Sequence, residues 1–295
     1  MPNQLKTILL LGALSALLVA IGGAIGGAGL YVFLTIAILL NVGSFLYSDR
    51  LVLRMSRARV LDEREAPALF AMVRDLTDRA GLPMPRLAVV PDPTPNAFAT
   101  GRSPGRAVVA VTEGLLHLTE PRELRGVLAH ELAHVANRDT LVATIAAAFG
   151  TAITYIANVL QWGAIFGGAG ASDDDGEAGA AGGLLMAFLA PVAATMLQMG
   201  ISRSREYLAD DWAARLTGDP RGLANALGKL QQHGEQLARR GAPQAEPATA
   251  SLSIVNPLSG GTLTGGLFRL FATHPPIDDR IRRLLALEQE LGRAA

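Results

Sequence analysis

Long stretches without charge alternate with stretches of amphipathic pattern, and the uncharged ones organise the chain. From Thr7 to Ser48 no residue is charged. That run is roughly twice the ~20 residues that one membrane-spanning helix needs. Glycines between Gly22 and Gly29 divide it, which predicts two spans, Ile8–Ala24 and Leu30–Tyr47. A second uncharged run covers Thr140–Ser172 and a third Ala178–Ser202, separated by Asp173-Asp174-Asp175-Gly176-Glu177. Each is long enough to span, so four spans are expected. For the first, the competing reading is a cleaved signal peptide, because Lys6 and the small residues near Gly22 mimic one. A second apolar segment following at once argues against that. For the last two, the alternative is a pair of buried helices in a soluble core, since Ala and Gly lower their hydrophobicity and Pro191 would kink a helix.

The basic residues beside the runs agree with four spans. Lys6, then Arg50, Arg54, Arg57 and Arg59, then Arg138, then Arg203 and Arg205 all fall on one side, the cytoplasm. The glycine-rich turn and the loop around Asp174 carry no basic residue and fall outside. The predicted organisation is therefore a hairpin at 1–48, a soluble part at 49–139, a second hairpin at 140–202 and a second soluble part at 203–295.

Within the soluble parts, Ala66–Ala80 reads as an amphipathic helix closed by Gly81 and Pro83. Arg86–Val90 and Ala107–Val111 read as strands, with Asn96–Thr100 as a short extended piece between turn residues. A helix starts at Thr119-Glu120-Pro121 and runs through two histidines. Ser204–Leu216, Gly222–Arg240 and Ile277–Leu291 are further helices, and Gly241–Gly266 is loop-like. The fold class is mostly α with a small β-sheet (α+β).

Composition narrows the chemistry. Half of the 295 residues are hydrophobic, 18% are charged and the formal net charge is zero. This is too apolar for an ordinary soluble enzyme, and the absence of a basic bias gives no support to nucleic-acid binding. With no cysteine, disulfides, thiolate metal sites and a thiol nucleophile are excluded. Any metal site must draw on His117, His130, His134, His233, His274 and carboxylates.

The informative pattern is His130-Glu131-Leu132-Ala133-His134. Helix positions i and i+4 share a face, so both imidazoles can reach one ion. Glu131, beside the first of them, can take a proton from a metal-activated water. Leu124, Leu128, Leu132 and Val135 form a stripe on another face, which buries that side. A catalytic zinc usually takes a third protein ligand. Glu206 is the candidate, and Asp210, one turn later, is placed to accept a hydrogen bond from a ligand histidine. The alternative is that Glu206 pairs with Arg203 or Arg205 on a solvated face. His117 and His233 lie in helix-like, partly polar surroundings and read as surface or packing residues rather than as metal ligands.

His130–His134 with Asn137-Arg138-Asp139, then Ser202–Asp210, then Thr273-His274-Pro275-Pro276, closely resemble the HtpX family of bacterial membrane metalloproteases. The chain is similar, more distantly, to the type I CAAX prenyl endopeptidases. The likeness extends over nearly the whole chain and is weakest at Gly241–Gly266. It implies four transmembrane helices joined to a cytoplasmic zincin-like (gluzincin) protease domain in two parts. It implies one Zn2+ per chain on His130, His134 and Glu206, with Glu131 as the catalytic carboxylate. It also implies location in the bacterial inner membrane with the active site and both termini cytoplasmic. The implied partners are protein substrates, chiefly misfolded membrane proteins, and the lipid bilayer; a homo-oligomer is compatible with it. His274 is suggested as donor to the developing oxyanion, against a plain turn histidine that caps the last helix. Asn96, Ala97, Phe98 and Ala99 are the candidate sheet edge against which a substrate lies as an added strand, against an ordinary surface strand.

Three rivals stay in view. A prenyl-peptide processing enzyme is disfavoured by the span count. A non-catalytic scaffold with a structural metal has no use for Glu131. A channel or transporter would need ionisable residues in the span centres, and there are none.

Overall fold

The structure is a computed structural model. It describes residues 28–140, 203–239 and 275–294, with isolated positions in the first span, and within these it is mostly helical with one small mixed sheet. Most of the first expected span, residues 141–202 of the third and fourth, the loop Gly241–Gly266 and His274 lie outside the described residues.

Helix α1 runs Gly29–Met55, eight residues beyond the Tyr47 end expected from the uncharged run (55 − 47). The charged residues Asp49, Arg50 and Arg54 do not break a helix, and Val52 and Leu53 have an apolar surface to meet. Over the described side chains, no helix is long and apolar enough to cross a membrane. Those of α1 nevertheless include a band of exposed large hydrophobics, with Tyr31, Val32, Ile38, Leu39, Val42 and Tyr47 all more than half exposed.

Beyond α1 the chain builds a sheet of order β1-β2-β4-β3, from β1 (Arg59–Val60), β2 (Arg86–Val90), β3 (Ala97–Thr100) and β4 (Val108–Thr112). β1 and β3 run antiparallel to their neighbours, and β2 and β4 pair in parallel with Leu87 opposite Val109. Strand alternation sends side chains to two faces, and both are covered. Leu87, Ala97, Ala99, Val109 and Val111 join the helical core, while Ala88, Val90, Phe98, Val108 and Ala110 pack on Val52 and Leu53 of α1. Two covered faces explain why β2 and β4 read as unbroken apolar runs rather than as alternating ones.

Helix α2 (Pro67–Ala80) has proline at its start and buries Leu69, Val73 and Leu76. It stops at Gly81, whose φ of 63° is a left-handed closure that costs glycine little. The short α3 (Glu113–Leu118) did not stand out in the sequence; the Thr112 hydroxyl caps it by accepting from the Leu115 amide at 3.1 Å.

The central helix is α4 (Pro121–Ala136). Glu120 and Glu123 close a reciprocal capping box around Pro121, which satisfies two amides that the first turn leaves open. It packs on β3, on α5 (Arg203–Thr217) and on α6 (Pro220–Arg239), and α7 (Ile277–Ala294) lies against α5 and α6. The α4–α6 crossing is close: a Cβ at Gly126 would sit 2.8 Å from the Leu223 amide nitrogen.

Candidate metal centre

Three helices and a strand converge on one buried cluster. His130 and His134 stand one turn apart on α4. Their Nε2 atoms are 3.2 Å apart and the rings meet edge to face. Glu206 reaches in from α5, with Oε2 3.6 Å from His130 Nε2 and Oε1 3.4 Å from His134 Nε2. It is 1% exposed, so it does not lie on a solvated face. Arg205, weighed above as its partner, donates to Asp139 at 2.8 Å.

Each imidazole is backed by a carboxylate. Asp210, one turn after Glu206, lies 3.0 Å from His130 Nδ1, and Asp139 lies 3.1 Å from His134 Nδ1. Assigning the Nδ1 hydrogens to these carboxylates leaves both Nε2 lone pairs facing the same point. Two lone pairs at that separation repel unless a cation sits between them. Burial and the Arg280 charge oppose a charged His130 ring, but Asp210 and Glu206 outweigh them and push its pKa up to about 9, so the pocket favours positive charge at this point.

The donor set fits a divalent ion. Bonds of about 2.0–2.1 Å in a tetrahedron place ligand atoms about 3.3 Å apart, and the three separations here are 3.2, 3.4 and 3.6 Å. His130, His134 and Glu206 form a group that could hold a metal ion. Charge agrees. Glu131, Asp139, Glu206 and Asp210 are buried carboxylates, and Arg205 and Arg280 are the guanidiniums beside them. Among the described residues the carboxylates of the cluster outnumber its guanidiniums, which favours a cation there.

Glu131 is 4% exposed and accepts a hydrogen bond from the Ala99 amide of β3. Burial raises its pKa, with Glu206 adding to the rise, while the two imidazoles and the Ala99 amide oppose it. Ala97, Phe98 and Ala99 lie on β3, at the edge of the sheet among the described residues, and are buried; Asn96 immediately precedes the strand and pairs with Thr112. The segment is therefore not an ordinary surface strand. His117 is exposed on α3 and His233 half-buried on α6, and neither joins the metal group.

Two residues with no role in the sequence reading stand in the cluster. Asp139 reaches His134 because Arg138 adopts a left-handed φ of 57°, turning the chain back at the end of α4. Arg280 of α7 is fully buried and grips Asp210 through Nε at 2.8 Å and Nη2 at 2.7 Å. A signal for Arg280 was available: Ile277, Arg280, Ile281 and Leu284 share helical spacing, so a cation sits on the apolar stripe.

Comparison with known proteins agrees with this geometry. The model of peptidase family M48 matches residues 63–288. A "Protease HtpX homolog" of Pelotomaculum thermopropionicum is 55% identical over 286 residues, covering 97% of this chain and 99% of the relative. One from Desulfatibacillum aliphaticivorans is 50% identical over 295 residues, covering 100% of this chain and 93% of the relative. One from Thermococcus kodakarensis is 47% identical over 289 residues, with coverage of 98% and 97%. Among solved structures, the crystal structure of S. mikatae Ste24p superposes with a TM-score of 0.50 at 18% identity. It covers 96% of this chain, which spans 65% of that one, and the likeness is one of fold. The chain belongs to peptidase family M48, among the HtpX proteases, and is a metalloendopeptidase.

Proposed function

We propose that the chain is a zinc-dependent integral-membrane endopeptidase that cleaves misfolded or damaged membrane proteins at the cytoplasmic face of the bacterial inner membrane. The observation that carries the chemistry is the spacing of His130 Nε2, His134 Nε2 and Glu206 Oε at tetrahedral-edge distances with Glu131 buried beside them. Zinc, when bound, supplies Lewis acidity that lowers the pKa of a water and polarises the scissile carbonyl. His130, His134 and Glu206 hold the ion, and Asp210 and Asp139 keep the rings turned toward it. Glu131 takes the proton of the attacking water and returns it to the leaving amine, its carboxylate steadied by the Ala99 amide. The substrate lies as an added strand on the edge of β3, with Asn96, Ala97, Phe98 and Ala99 forming that edge. His274 is the proposed donor to the tetrahedral oxyanion.

Membrane placement is supported by the uncharged runs of the sequence, by the exposed apolar band of α1 and by Arg50, whose guanidinium lies 5.6 Å from the Tyr47 ring at the end of that band. The docking of Val52 and Leu53 on the sheet then seats the protease part at the foot of the span. The proposed layout is hairpins at 1–48 and 140–202 with protease parts at 49–139 and 203–295.

The test is zinc quantification together with casein cleavage by the full chain in detergent. The reading expects one zinc per chain, cleavage lost with a chelator and restored by zinc, and little zinc in Glu206→Ala. Undiminished cleavage in chelator would refute it.

A further inference from the structure

The cluster contains a permanent cation drawn from the far end of the chain. Arg280 projects from the first turn of α7 with 0% exposure. Besides its two-point grip on Asp210, its Nη1 lies 3.5 Å from Glu206 Oε2, and its Nη2 lies 3.4 Å from His130 Nε2. One side chain therefore faces a proposed ligand carboxylate, a proposed ligand imidazole and the carboxylate that orients that imidazole. Asp210 is 3% exposed, and a carboxylate so buried stays ionised only with a charged, hydrogen-bonded partner. Arginine supplies that charge whether or not a metal is present. Its planar fork also fixes the plane of the Asp210 carboxylate, which a point charge cannot do.

We propose that Arg280 is a positioning residue of the metal centre: it locks Asp210 against His130 Nδ1, so that α7 is part of the metal site and metal occupancy and α7 docking stabilise each other. Coupling between two such events is reciprocal. On the His134 side, among the described residues, it is Arg205 of α5 that pairs with the backing carboxylate, Asp139. The two halves of the site thus answer to different parts of the chain. The inference rests on the reading of His130, His134 and Glu206 as ligands.

The test uses the full chain in detergent and reads the zinc dissociation constant by chelator competition. Arg280→Met should bind zinc about 10- to 100-fold more weakly, the range for a residue that orients a ligand. Arg280→Lys, which keeps the charge and loses the fork, should fall between. In an Asp210→Asn background the Arg280→Met loss should shrink to about threefold or less, because the lever it acts through is gone. The d–d absorption of the cobalt-substituted protein should shift in Arg280→Met. In the unmutated protein, stripping zinc should speed amide exchange in Ile277–Ala294 more than in Pro67–Ala80, a result that needs no variant to fold. Wild-type zinc affinity in Arg280→Met, an equal loss in both backgrounds, or equal exchange in the two helices on stripping would overturn the proposal while leaving the ligand assignment standing. If the wild type itself binds no zinc, the ligand assignment falls and this inference falls with it.

Discussion

Replacing Glu131 by glutamine isolates one atom of the proposed chemistry. The two side chains have nearly the same volume, and an amide oxygen can still accept from the Ala99 amide. What disappears is the proton acceptor. A positioned general base contributes about 10²–10⁴ in rate, equal to roughly 3–5 kcal/mol of barrier at ~1.36 kcal/mol per decade. The variant should not lose stability, because Glu131 is buried and burial, with Glu206 adding to it, disfavours its charged form, so a neutral amide removes that cost. Zinc should stay, since Glu131 is not among the three residues grouped around one point. The assay is initial-rate cleavage of casein or a fluorogenic peptide, with zinc content and thermal unfolding on the same samples. A rate within about tenfold of wild type would refute the base assignment, and loss of zinc would make Glu131 a ligand instead.

Other outcomes follow from the packing. Gly126→Leu should lower stability by at least the ~1–3 kcal/mol typical of overpacking, because even a Cβ would lie 2.8 Å from the Leu223 amide; an unchanged melting temperature would contradict the close α4–α6 crossing. Asp219 caps α6 through the Gly222 amide at 3.1 Å and pairs with Arg122. Asp219→Ala should cost about 1 kcal/mol near neutral pH. Arg122, followed by the amides of Gly222 and Arg221, lowers the Asp219 pKa against a smaller cost of burial. The penalty should therefore be complete above the ordinary carboxylate pKa and fade as pH falls through the lower folded value. Paired melts of wild type and variant across that range check it.

How much was legible in the sequence follows from what each residue depends on. His130, Glu131 and His134 are separated by less than one helical turn or by one, so local geometry alone fixes their relation. Glu206 and Asp210 have the same spacing on α5, and their pairing with α4 needed only that two helices meet. The β3 segment was recognisable as extended, but its burial on both faces depends on α1 overrunning its uncharged stretch to bring Val52 and Leu53 onto the sheet. Asp139 depends on a left-handed backbone at Arg138, which no side-chain preference announces, since arginine rarely adopts it. Arg280 was masked by company: Asp278, Asp279, Arg282 and Arg283 surround it, and the stretch reads as the charged side of an amphipathic helix. The spacing of Arg280 with Ile277, Ile281 and Leu284 was the one signal against that, and the docking of α7 turns this cation inward.

A metal held by two imidazoles and a carboxylate is measured directly by zinc-edge X-ray absorption of the purified full chain. The predicted spectrum has four nitrogen or oxygen scatterers at about 2.0–2.1 Å, with the multiple-scattering signature of two imidazoles, reduced to one in His134→Ala. A six-oxygen shell without imidazole scattering, or a spectrum that His134→Ala leaves unchanged, would contradict it.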